Sequence, residues 1–389
     1  MWARLLVVFL AIFLCTACNK GESAATASPV ATKTGCGPDV DGPCVYFDKQ
    51  GRKSLEVNYS GGKLEGLWTA WYENKQKASE GKWTGGTQVG EWTNWHYNGQ
   101  KSLSGSYQNG QRHGKWTSWN SEGKELGTST MKEGSGTWSE WYENGKKALA
   151  LEMVKGKQAG AMTRWTEEGT KSYRIARQNG LRHGKFVAWY SNGVQMAEHN
   201  YVRGTLDGPF IEWFSNEQMR SQRQYQSGKK DGEWTEWHSN GKQNSSKTYA
   251  MGKRTGTWSE WYENGKQKSE TEFANSIRIG TAREWYPSGL KKSEKHYDQG
   301  KKVGTWTDWY ENGRMKSEEN YVSGRKEGSS KTWYENGNPK SKDNFTEGRP
   351  SGSWLRFYED GEPKSSENYT NGEKNGAYQT WHEGGKIQS

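Results

Sequence analysis

The sequence predicts an all-β fold, an elongated single-chain array of about 15 antiparallel β-hairpins that form a long twisted sheet. Two observations predict it. A segment of 24 residues marked by a glycine recurs with one step of 22, a period typical of repeat arrays. Aromatic residues make up 13% of the 389 residues although the mean hydropathy is −1.17, so we expect a core of rings rather than of aliphatic side chains. The marker glycines are Gly42, Gly66, Gly90, Gly114, Gly136, Gly160, Gly184, Gly208, Gly232, Gly256, Gly280, Gly304, Gly328, Gly352 and Gly376.

Residues 1–17 have the pattern of a signal peptide, because a basic start precedes an apolar run that is too short to span a bilayer. The small residues Thr16 and Ala17 directly before Cys18 resemble a bacterial lipobox. That resemblance implies cleavage before Cys18 and a diacylglycerol on its thiol. Asn19 then implies the bacterial outer membrane as the location. Ordinary signal-peptide cleavage nearby, without a lipid, is the alternative.

Residues 18–35 form the predicted lipid anchor and flexible tether, since they are rich in Ser, Ala, Thr, Gly and Lys. Residues 36–44 follow as a probable disulfide cap. In an oxidising compartment Cys36 and Cys44 most plausibly pair, whereas two cysteines without a nearby histidine make half a metal site at best. The repeat array occupies residues 42–389.

The repeat beginning at Gly304 shows the predicted hairpin. Residues 305–310 are rich in β-branched and aromatic residues, and Asn312-Gly313 predicts a two-residue type I′ turn in which both residues have positive φ. The second strand is expected to run from Arg314 to Tyr321.

With that two-residue turn, the strand alternation assigns each side chain to one face of the sheet. Trp306, Tyr310, Met315 and Tyr321 are expected on one face, and Trp309 and Lys316 on the other. Equivalent rings in successive hairpins lie roughly 10 Å apart, too far for direct contact. Long basic side chains are therefore expected to cover the Trp faces. They are Arg220, Lys268, Lys292, Lys316, Lys340 and Lys364.

The motif Tyr321-x-x-Gly324-x-x-x-Gly328 and the following Trp333-Tyr334-x-Asn336-Gly337 recur in close copies. They resemble the MORN-variant repeat, a family that includes bacterial proteins called YwqK-type antitoxins. The resemblance covers about nine-tenths of the chain and implies β-hairpins laid edge to edge. Some repeats depart from it, with Lys75 and Glu217 in place of the turn glycine, Ser276 in place of the second glycine and Arg177 in place of the preceding ring.

The sequence predicts neither an enzyme nor a metal or cofactor site. The seven histidines occupy several different repeat positions, and distant repeats of an elongated array do not bring side chains together. The abundant glycines belong to hairpin turns rather than to a phosphate-binding loop. The net charge of +10 is spread along a chain in which both signs alternate, so it selects no particular anionic partner.

The leading hypothesis is a lipid-anchored, non-enzymatic scaffold that binds another protein at the cell envelope. The family resemblance implies toxin neutralisation as its sharper form. The alternative is a surface that binds glycan or anionic lipid through exposed Trp, Lys and Arg. A purely structural spacer is a further alternative, and export argues against nucleic acid as a partner. The candidate binding residues are Trp261, Trp285, Trp309, Trp333, Lys268, Lys292, Lys316 and Lys340.

The last repeat contains only half of the pattern. The final residues, from Trp381 to Ser389, follow a single predicted strand and leave a sheet edge open. Open edges pair with strands of other chains. We therefore expect end-to-end self-association.

Overall fold

A computed structural model describes residues 31–32 and 37–388. This part of the chain consists of strands and turns and contains no helix, so none that could cross a membrane. The predicted all-β succession of antiparallel hairpins is confirmed. The chain divides into two compact units. The first unit comprises residues up to Met196 and Tyr201–Gly204, and the second comprises Ala197–Asn200 and the residues from Thr205 onward.

In the first unit, strands that follow one another pair antiparallel, and β3 pairs with both β4 and β5. The strands are β1 (Ala31–Thr32), β2 (Gly42–Phe47), β3 (Lys53–Ser60), β4 (Lys63–Leu64), β5 (Gly66–Trp71), β6 (Lys77–Thr84), β7 (Thr87–Trp95), β8 (Lys101–Gln108), β9 (Gln111–Trp119), β10 (Glu125–Lys132), β11 (Ser135–Trp141), β12 (Lys147–Val154), β13 (Lys157–Trp165), β14 (Lys171–Gln178) and β15 (Leu181–Trp189). Strand β16 (Gln195–Val202) supplies residues to both units.

In the second unit the same antiparallel order continues, and β30 pairs with β29, β31 and β32. The strands are β17 (Thr205–Trp213), β18 (Met219–Gln226), β19 (Lys229–Trp237), β20 (Gln243–Ala250), β21 (Lys253–Trp261), β22 (Gln267–Ala274), β23 (Ile277–Trp285), β24 (Lys291–Asp298), β25 (Lys301–Trp309), β26 (Met315–Val322), β27 (Arg325–Trp333), β28 (Pro339–Thr346), β29 (Arg349–Phe357), β30 (Pro363–Thr370), β31 (Glu373–Lys374) and β32 (Gln379–Thr380).

The predicted type I′ turn at Asn312-Gly313 is wrong. Gly313 has a φ of 83°, whereas Asn312 has a negative φ, and the Gly313 N–H donates to the carbonyl of Tyr310 at 3.0 Å. This is a three-residue loop made of an ordinary β-turn followed by a left-handed glycine. Its extra residue produces a β-bulge, because Trp309 pairs with Met315 while Asp308 pairs with Ser317. Lys316 is the unpaired residue.

The type I′ turn lies at the opposite end of the strands, between one hairpin and the next. Ser323 and Gly324 have φ values of 50° and 89°, and Val322 pairs with Arg325 across this two-residue loop. The repeats that lack the expected glycine keep the same backbone. Lys75, Glu217 and Ser276 have φ values of 67°, 70° and 71°, so each takes up the left-handed conformation that glycine has elsewhere.

Rings from neighbouring strands form the core of the second unit. Trp306 and Tyr321 share a face, as predicted, and their ring centroids lie 5.1 Å apart. Tyr297, on the strand before, lies 5.1 Å from the other side of Trp306. The gap of two strands between equivalent Trp rings is thus filled by the Tyr or Phe of the intervening strand. Only 8% of Trp306 and 6% of Tyr321 is exposed.

The first unit packs its rings differently. Trp68 and Trp92 lie 5.5 Å apart, and Trp116 and Trp138 lie 5.8 Å apart, so the prediction that equivalent Trp rings cannot meet is wrong there. Gly81, on the strand between Trp68 and Trp92, makes the first of these contacts possible, because a Cβ there would lie 2.1 Å from the Trp92 ring. Gly105 stands in the same way beneath Trp116, whose ring its Cβ would meet at 2.2 Å. The indole therefore occupies the space above a strand that carries no side chain at this point.

Candidate binding surface

A row of tyrosines in the second unit joins each hairpin to the next. Each tyrosine directly follows the last residue of a first strand, and its hydroxyl donates a hydrogen bond to the main-chain carbonyl at the end of the next hairpin's first strand. The pairs are Tyr262 with Trp285, Tyr286 with Trp309 and Tyr310 with Trp333, each at 2.8 Å, and Tyr334 with Phe357 and Tyr358 with Trp381, each at 2.9 Å. Burial raises the pKa of Tyr310, and the nearby carboxylate of Glu335 adds to that shift. The phenol therefore remains a donor throughout the neutral range.

Replacing Tyr310 by phenylalanine is expected to lower the free energy of unfolding by about 1 kcal/mol, because one hydrogen bond between hairpins is lost while the ring stays. Urea denaturation would measure the change. Tyr97→Phe is the control, since Tyr97 is exposed. An equal loss in both variants would contradict the role assigned to the Tyr310 hydroxyl.

The turn asparagines form a second row of contacts between hairpins. In Asn312, Oδ1 accepts a hydrogen bond from the main-chain N–H of Arg314 at 2.9 Å, and Nδ2 donates to the carbonyl of Glu335 in the next turn at 3.0 Å. Asn264 and Asn336 make the same contacts with Pro287 and Glu359. The Asn-Gly pair thus combines a left-handed glycine with an asparagine that bonds to the next repeat.

Four histidines take over contacts that other residue types make elsewhere in the repeat. His96 and His238 stand at the tyrosine position, and their Nε2 atoms bond to the carbonyls of Trp119 and Trp261 at 2.9 and 3.0 Å. His113 stands directly before a marker glycine. In another repeat the same position is held by Asp231, whose carboxylate accepts a main-chain N–H. His113 Nδ1 accepts the N–H of Glu133 at 3.4 Å, and His183 makes the same contact with Arg203. Within residues 37–388, no three His, Cys, Asp or Glu side chains form a group able to hold a metal ion.

The predicted lysines cover tyrosines rather than tryptophans. Lys316 Nζ lies 5.5 Å from the centroid of Tyr310, and Lys340 Nζ lies 5.4 Å from that of Tyr334. The bulge causes this difference. Simple alternation predicted Lys316 on the face of Trp309 and on the other face from Tyr310, but the extra residue of the bulge moves Lys316 beside Tyr310.

The other two lysines of the candidate set pair with carboxylates. Lys292 Nζ lies 3.2 Å from Glu284, and Lys268 Nζ lies 3.6 Å from Glu260. The hydrogen bond from Glu284 raises the pKa of Lys292. All four predicted lysines have exposed side chains.

The candidate tryptophans Trp261, Trp285, Trp309 and Trp333 are half-buried. A lysine does lie on Trp309, but it is Lys291, whose Nζ is 5.2 Å from the ring centroid. This lysine stands one position before the predicted row. Lys53, Lys77, Lys147 and Lys171 cover their tryptophans from the same repeat position. The structure therefore separates the two candidate sets: the lysines lie beside tyrosines or carboxylates, and Trp309 is covered by a different lysine.

A half-buried carboxylate supports the aromatic core at the hairpin ends. Glu319 accepts hydrogen bonds from Lys326 Nζ at 2.7 Å and from the Tyr321 hydroxyl at 2.6 Å. Burial alone would raise the pKa of Glu319, but these two hydrogen bonds outweigh it and hold the pKa below its usual value. The ionised form of Glu319 is therefore favoured more in the folded chain than in the unfolded chain, and this difference stabilises the fold.

Acidification is expected to remove this contribution. The pKa of Glu319 is lower in the folded chain than in the unfolded chain. Ionised Glu319 therefore contributes fully to the free energy of unfolding at a pH above its unfolded-state pKa, and this contribution is lost as the pH falls from about 5 to below 4. Urea denaturation across this range would show a steeper loss of stability in the natural chain than in Glu319→Gln. Parallel pH profiles would show that Glu319 carries none of the acid sensitivity.

The predicted lipidation and disulfide residues lie largely outside the described residues. Cys18 and Cys36 belong to that part, as do the signal peptide and most of the tether. Cys44 is buried and disulfide-bonded. Its pairing with Cys36 stays a prediction.

Four segments of the chain match the family model described as the MORN repeat variant, namely residues 254–275, 302–323, 326–347 and 350–371. Each segment covers one hairpin of the second unit. No curated protein matches the chain.

Several solved structures of toxin complexes are similar to the chain at low identity. The crystal structure of TcdB2-TccC3-Cdc42 shares 9% identity over 88% of this chain and 27% of that chain, with a TM-score of 0.15. That of TcdB2-TccC3-TEV shares 11% over 85% and 24%, with a TM-score of 0.17. A mutant Photorhabdus luminescens Tc holotoxin pore shares 9% over 87% and 26%, with a TM-score of 0.14. The chain spans about a quarter of the length of these matched chains.

Proposed function

We propose that this repeat scaffold has no enzymatic activity and binds another protein at the cell envelope, where a lipid on Cys18 holds it. The binding surface is the tyrosine–lysine surface of the second unit, formed by two parallel rows. The rows are Tyr262, Tyr286, Tyr310, Tyr334 and Tyr358, and Lys268, Lys292, Lys316, Lys340 and Lys364.

The row of Tyr-to-carbonyl hydrogen bonds is the single observation that carries this proposal. It repeats the same contact in five successive hairpins, so ordered aromatic side chains recur at a spacing of roughly 10 Å. An ordered surface loses little conformational entropy on binding. Tyrosine is also enriched among the residues that dominate protein interfaces. The exposed lysines beside this row favour a partner with an acidic surface.

Site-specific crosslinking in cells tests this surface. A photoreactive amino acid at Lys316 or Lys340 is expected to trap one distinct protein. The same group at Arg325, which is exposed at the other end of the strands, is the control and is expected not to trap it. The same products from all three positions, or none from Lys316 and Lys340, would argue against a partner on this surface.

The envelope location depends on Cys18. Cys18→Ser is expected to abolish incorporation of labelled palmitate and to release the chain from the membrane fraction. Ser28→Ala, in the predicted tether, is the control. Membrane retention of Cys18→Ser without label would exclude the lipid anchor.

Toxin neutralisation is the sharper form of the proposal, and its support is the resemblance of four repeats to the MORN variant family. Deleting the gene is expected to sensitise cells to one cognate toxin, and restoring the natural chain is expected to reverse this. If a chain with Lys316→Glu and Lys340→Glu also restored toxin resistance, toxin neutralisation would not depend on the tyrosine–lysine surface.

Binding of anionic lipid is a second candidate, favoured by the opposite ends of the same strands. Exposed basic residues begin the first strand of five hairpins there, and three apolar residues at the same end of the strands are 47%, 48% and 60% exposed. Basic residues beside exposed apolar ones favour an anionic membrane surface. The basic residues are Lys229, Lys253, Lys301, Arg325 and Arg349, and the apolar ones are Met251, Ile277 and Val322.

Vesicle sedimentation distinguishes the two candidates. Phosphatidylglycerol vesicles, but not phosphatidylcholine vesicles, are expected to sediment the natural chain without its lipid, and Lys301→Glu with Arg325→Glu is expected to reduce this. No sedimentation with either lipid would exclude the second candidate.

A further inference from the structure

Asn-Gly pairs occur at eleven places in the chain, and the fold holds their reactive groups to different degrees. In such a pair the main-chain nitrogen of the glycine lies close to the side-chain amide of the asparagine, and no glycine side chain shields it. Attack of this nitrogen on the side-chain carbonyl carbon gives a succinimide ring, which water opens to aspartate or isoaspartate. Hydrogen bonds to either group oppose the reaction, because they have to break before the two groups can meet.

Seven of the pairs lie in the three-residue loops at the hairpin ends, where the glycine N–H donates a hydrogen bond back across the loop. In Asn312-Gly313 both reacting groups are held. The Asn312 side chain bonds to Arg314 and Glu335, and the Gly313 N–H donates to the carbonyl of Tyr310. These loops therefore protect their asparagines.

Three further pairs lie in the two-residue turns between hairpins. They are Asn109-Gly110, Asn179-Gly180 and Asn371-Gly372, and their asparagines have φ values of 50°, 52° and 54°. The Gly110 N–H donates to the carbonyl of Gln88 at 3.0 Å, and the Gly372 N–H donates to that of Pro350 at 2.9 Å. Among the described residues, no carbonyl accepts the Gly180 N–H, and the Asn179 side chain has no hydrogen-bond partner. Asn179-Gly180 thus differs from the two matched turns in its free main-chain nitrogen.

The turn at Asn179-Gly180 also leaves room for the ring that the reaction forms. Both residues are exposed. A Cβ added at Gly180 would meet no atom within 4 Å, whereas one added at Gly110 would lie 3.3 Å from the Thr87 side chain. Solvent and the side chain of Asn179 therefore have access to the Gly180 nitrogen.

A cation is bonded to the same turn. Arg177 stands at the position that carries an aromatic ring in most repeats, and its Nη1 donates to the carbonyl of Gly180 at 2.8 Å. The Gly180 nitrogen becomes a nucleophile when it loses its proton. A positive charge nearby favours the amide anion that this loss produces.

We propose that Asn179 is a site of spontaneous deamidation in the folded chain. The Gly180 nitrogen loses its proton and forms a bond to Cγ of Asn179, while the bond from Cγ to Nδ2 breaks and ammonia leaves with a proton. One water molecule then opens the succinimide at either of its two carbonyl carbons. The products are aspartate and isoaspartate, each with a carboxylate in place of the neutral amide, and no atom changes its oxidation state.

The two products are expected to affect the turn differently. Gln178 pairs with Leu181 across this two-residue turn. Aspartate leaves the length of the main chain unchanged, whereas isoaspartate inserts a methylene group into it. Isoaspartate at position 179 is therefore expected to open the adjoining ends of β14 and β15, because a longer main chain does not fit the turn.

Peptide mapping by mass spectrometry tests the proposal on the natural full-length chain. The folded chain is incubated at mildly alkaline pH in heavy-oxygen water, so that only products formed during the incubation carry the label. Asn179 is expected to deamidate at least about tenfold faster than the matched turn residues Asn109 and Asn371 and than Asn312 in its loop. In urea, where the turns are lost, the four asparagines are expected to react at similar rates.

Two results would overturn the proposal. One is a rate at Asn179 in the folded chain that is no faster than the rates at Asn109 and Asn371. The other is a faster rate at Asn179 that persists in urea, because neighbouring residues in the sequence rather than the folded turn would then set it.

Hydrogen exchange tests the expected effect on the turn. The incubated chain is expected to lose amide protection at the adjoining ends of β14 and β15 in proportion to its isoaspartate content, and Asn179→Asp is the control that is expected to keep it. Equal protection in the two samples would show that isoaspartate does not open the turn. The site lies in the first unit and outside the tyrosine–lysine surface, so its failure leaves the protein-binding proposal unaffected.

Discussion

Gly105→Val is expected to destabilise the first unit by about 3 kcal/mol. Gly105 pairs with Trp92 across β7 and β8, and a Cβ at this position would lie 2.2 Å from the ring of Trp116. Trp116 is only 3% exposed and contacts Trp138 and Tyr107, so the indole has little room to move. The φ of Gly105 is not in the left-handed region, and the cost therefore comes from the side-chain clash rather than from the backbone.

Hydrogen exchange of the amides in β7–β10 would locate the loss, because it measures local opening in a repeat array. Thr271→Val is the matched control, since Thr271 holds the equivalent repeat position opposite Trp258 in the second unit. Its effect is expected to stay within about 0.5 kcal/mol. If Gly105→Val protected its amides as well as the natural chain does, the rings of the first unit would not be tightly packed above this glycine.

Trp306→Ala is expected to cost about 3–5 kcal/mol in the second unit. The variant removes a ring that contacts Tyr297 and Tyr321 at 5.1 Å on either side. It also removes the indole N–H that donates to the carbonyl of His296 at 3.0 Å. Lys302 Nζ, which lies 4.2 Å from the ring centroid, loses its aromatic partner as well.

Trp309→Ala provides the comparison for this experiment. Trp309 is half-buried and its main-chain carbonyl, which accepts the Tyr286 hydroxyl, remains in the variant. We expect a smaller loss of stability, and exchange of amides in β24–β27 would measure both. A larger effect for Trp309→Ala would mean that the stability resides on the opposite face of the sheet.

These two variants probe two ways of filling the same space. In the second unit, Tyr and Phe rings stand between the tryptophans, and the side chain that pairs with the tryptophan, such as Glu319, retains polar contacts. In the first unit, Gly81 and Gly105 stand opposite Trp68 and Trp92 in place of such side chains, and the rings of Trp92 and Trp116 lie above these glycines. One backbone pattern thus supports two different aromatic cores.

The hairpin array follows from local information in the chain. The spacing of glycine and aromatic residues specifies where each strand begins, and alternation within a strand specifies that Trp306 and Tyr321 share a face. These features depend on neighbours in the sequence, so the pattern alone was sufficient.

The turn types and side-chain partners needed the folded arrangement of the hairpins. Asn312-Gly313 has the composition of a type I′ turn, yet its asparagine bonds to the next hairpin and the turn closes with a bulge. That bulge places Lys316 over Tyr310 and leaves Lys291 to cover Trp309. Contacts between residues some 20 positions apart decided these points, because the preference of an isolated turn is weaker than the packing and hydrogen bonds made by the adjacent repeat.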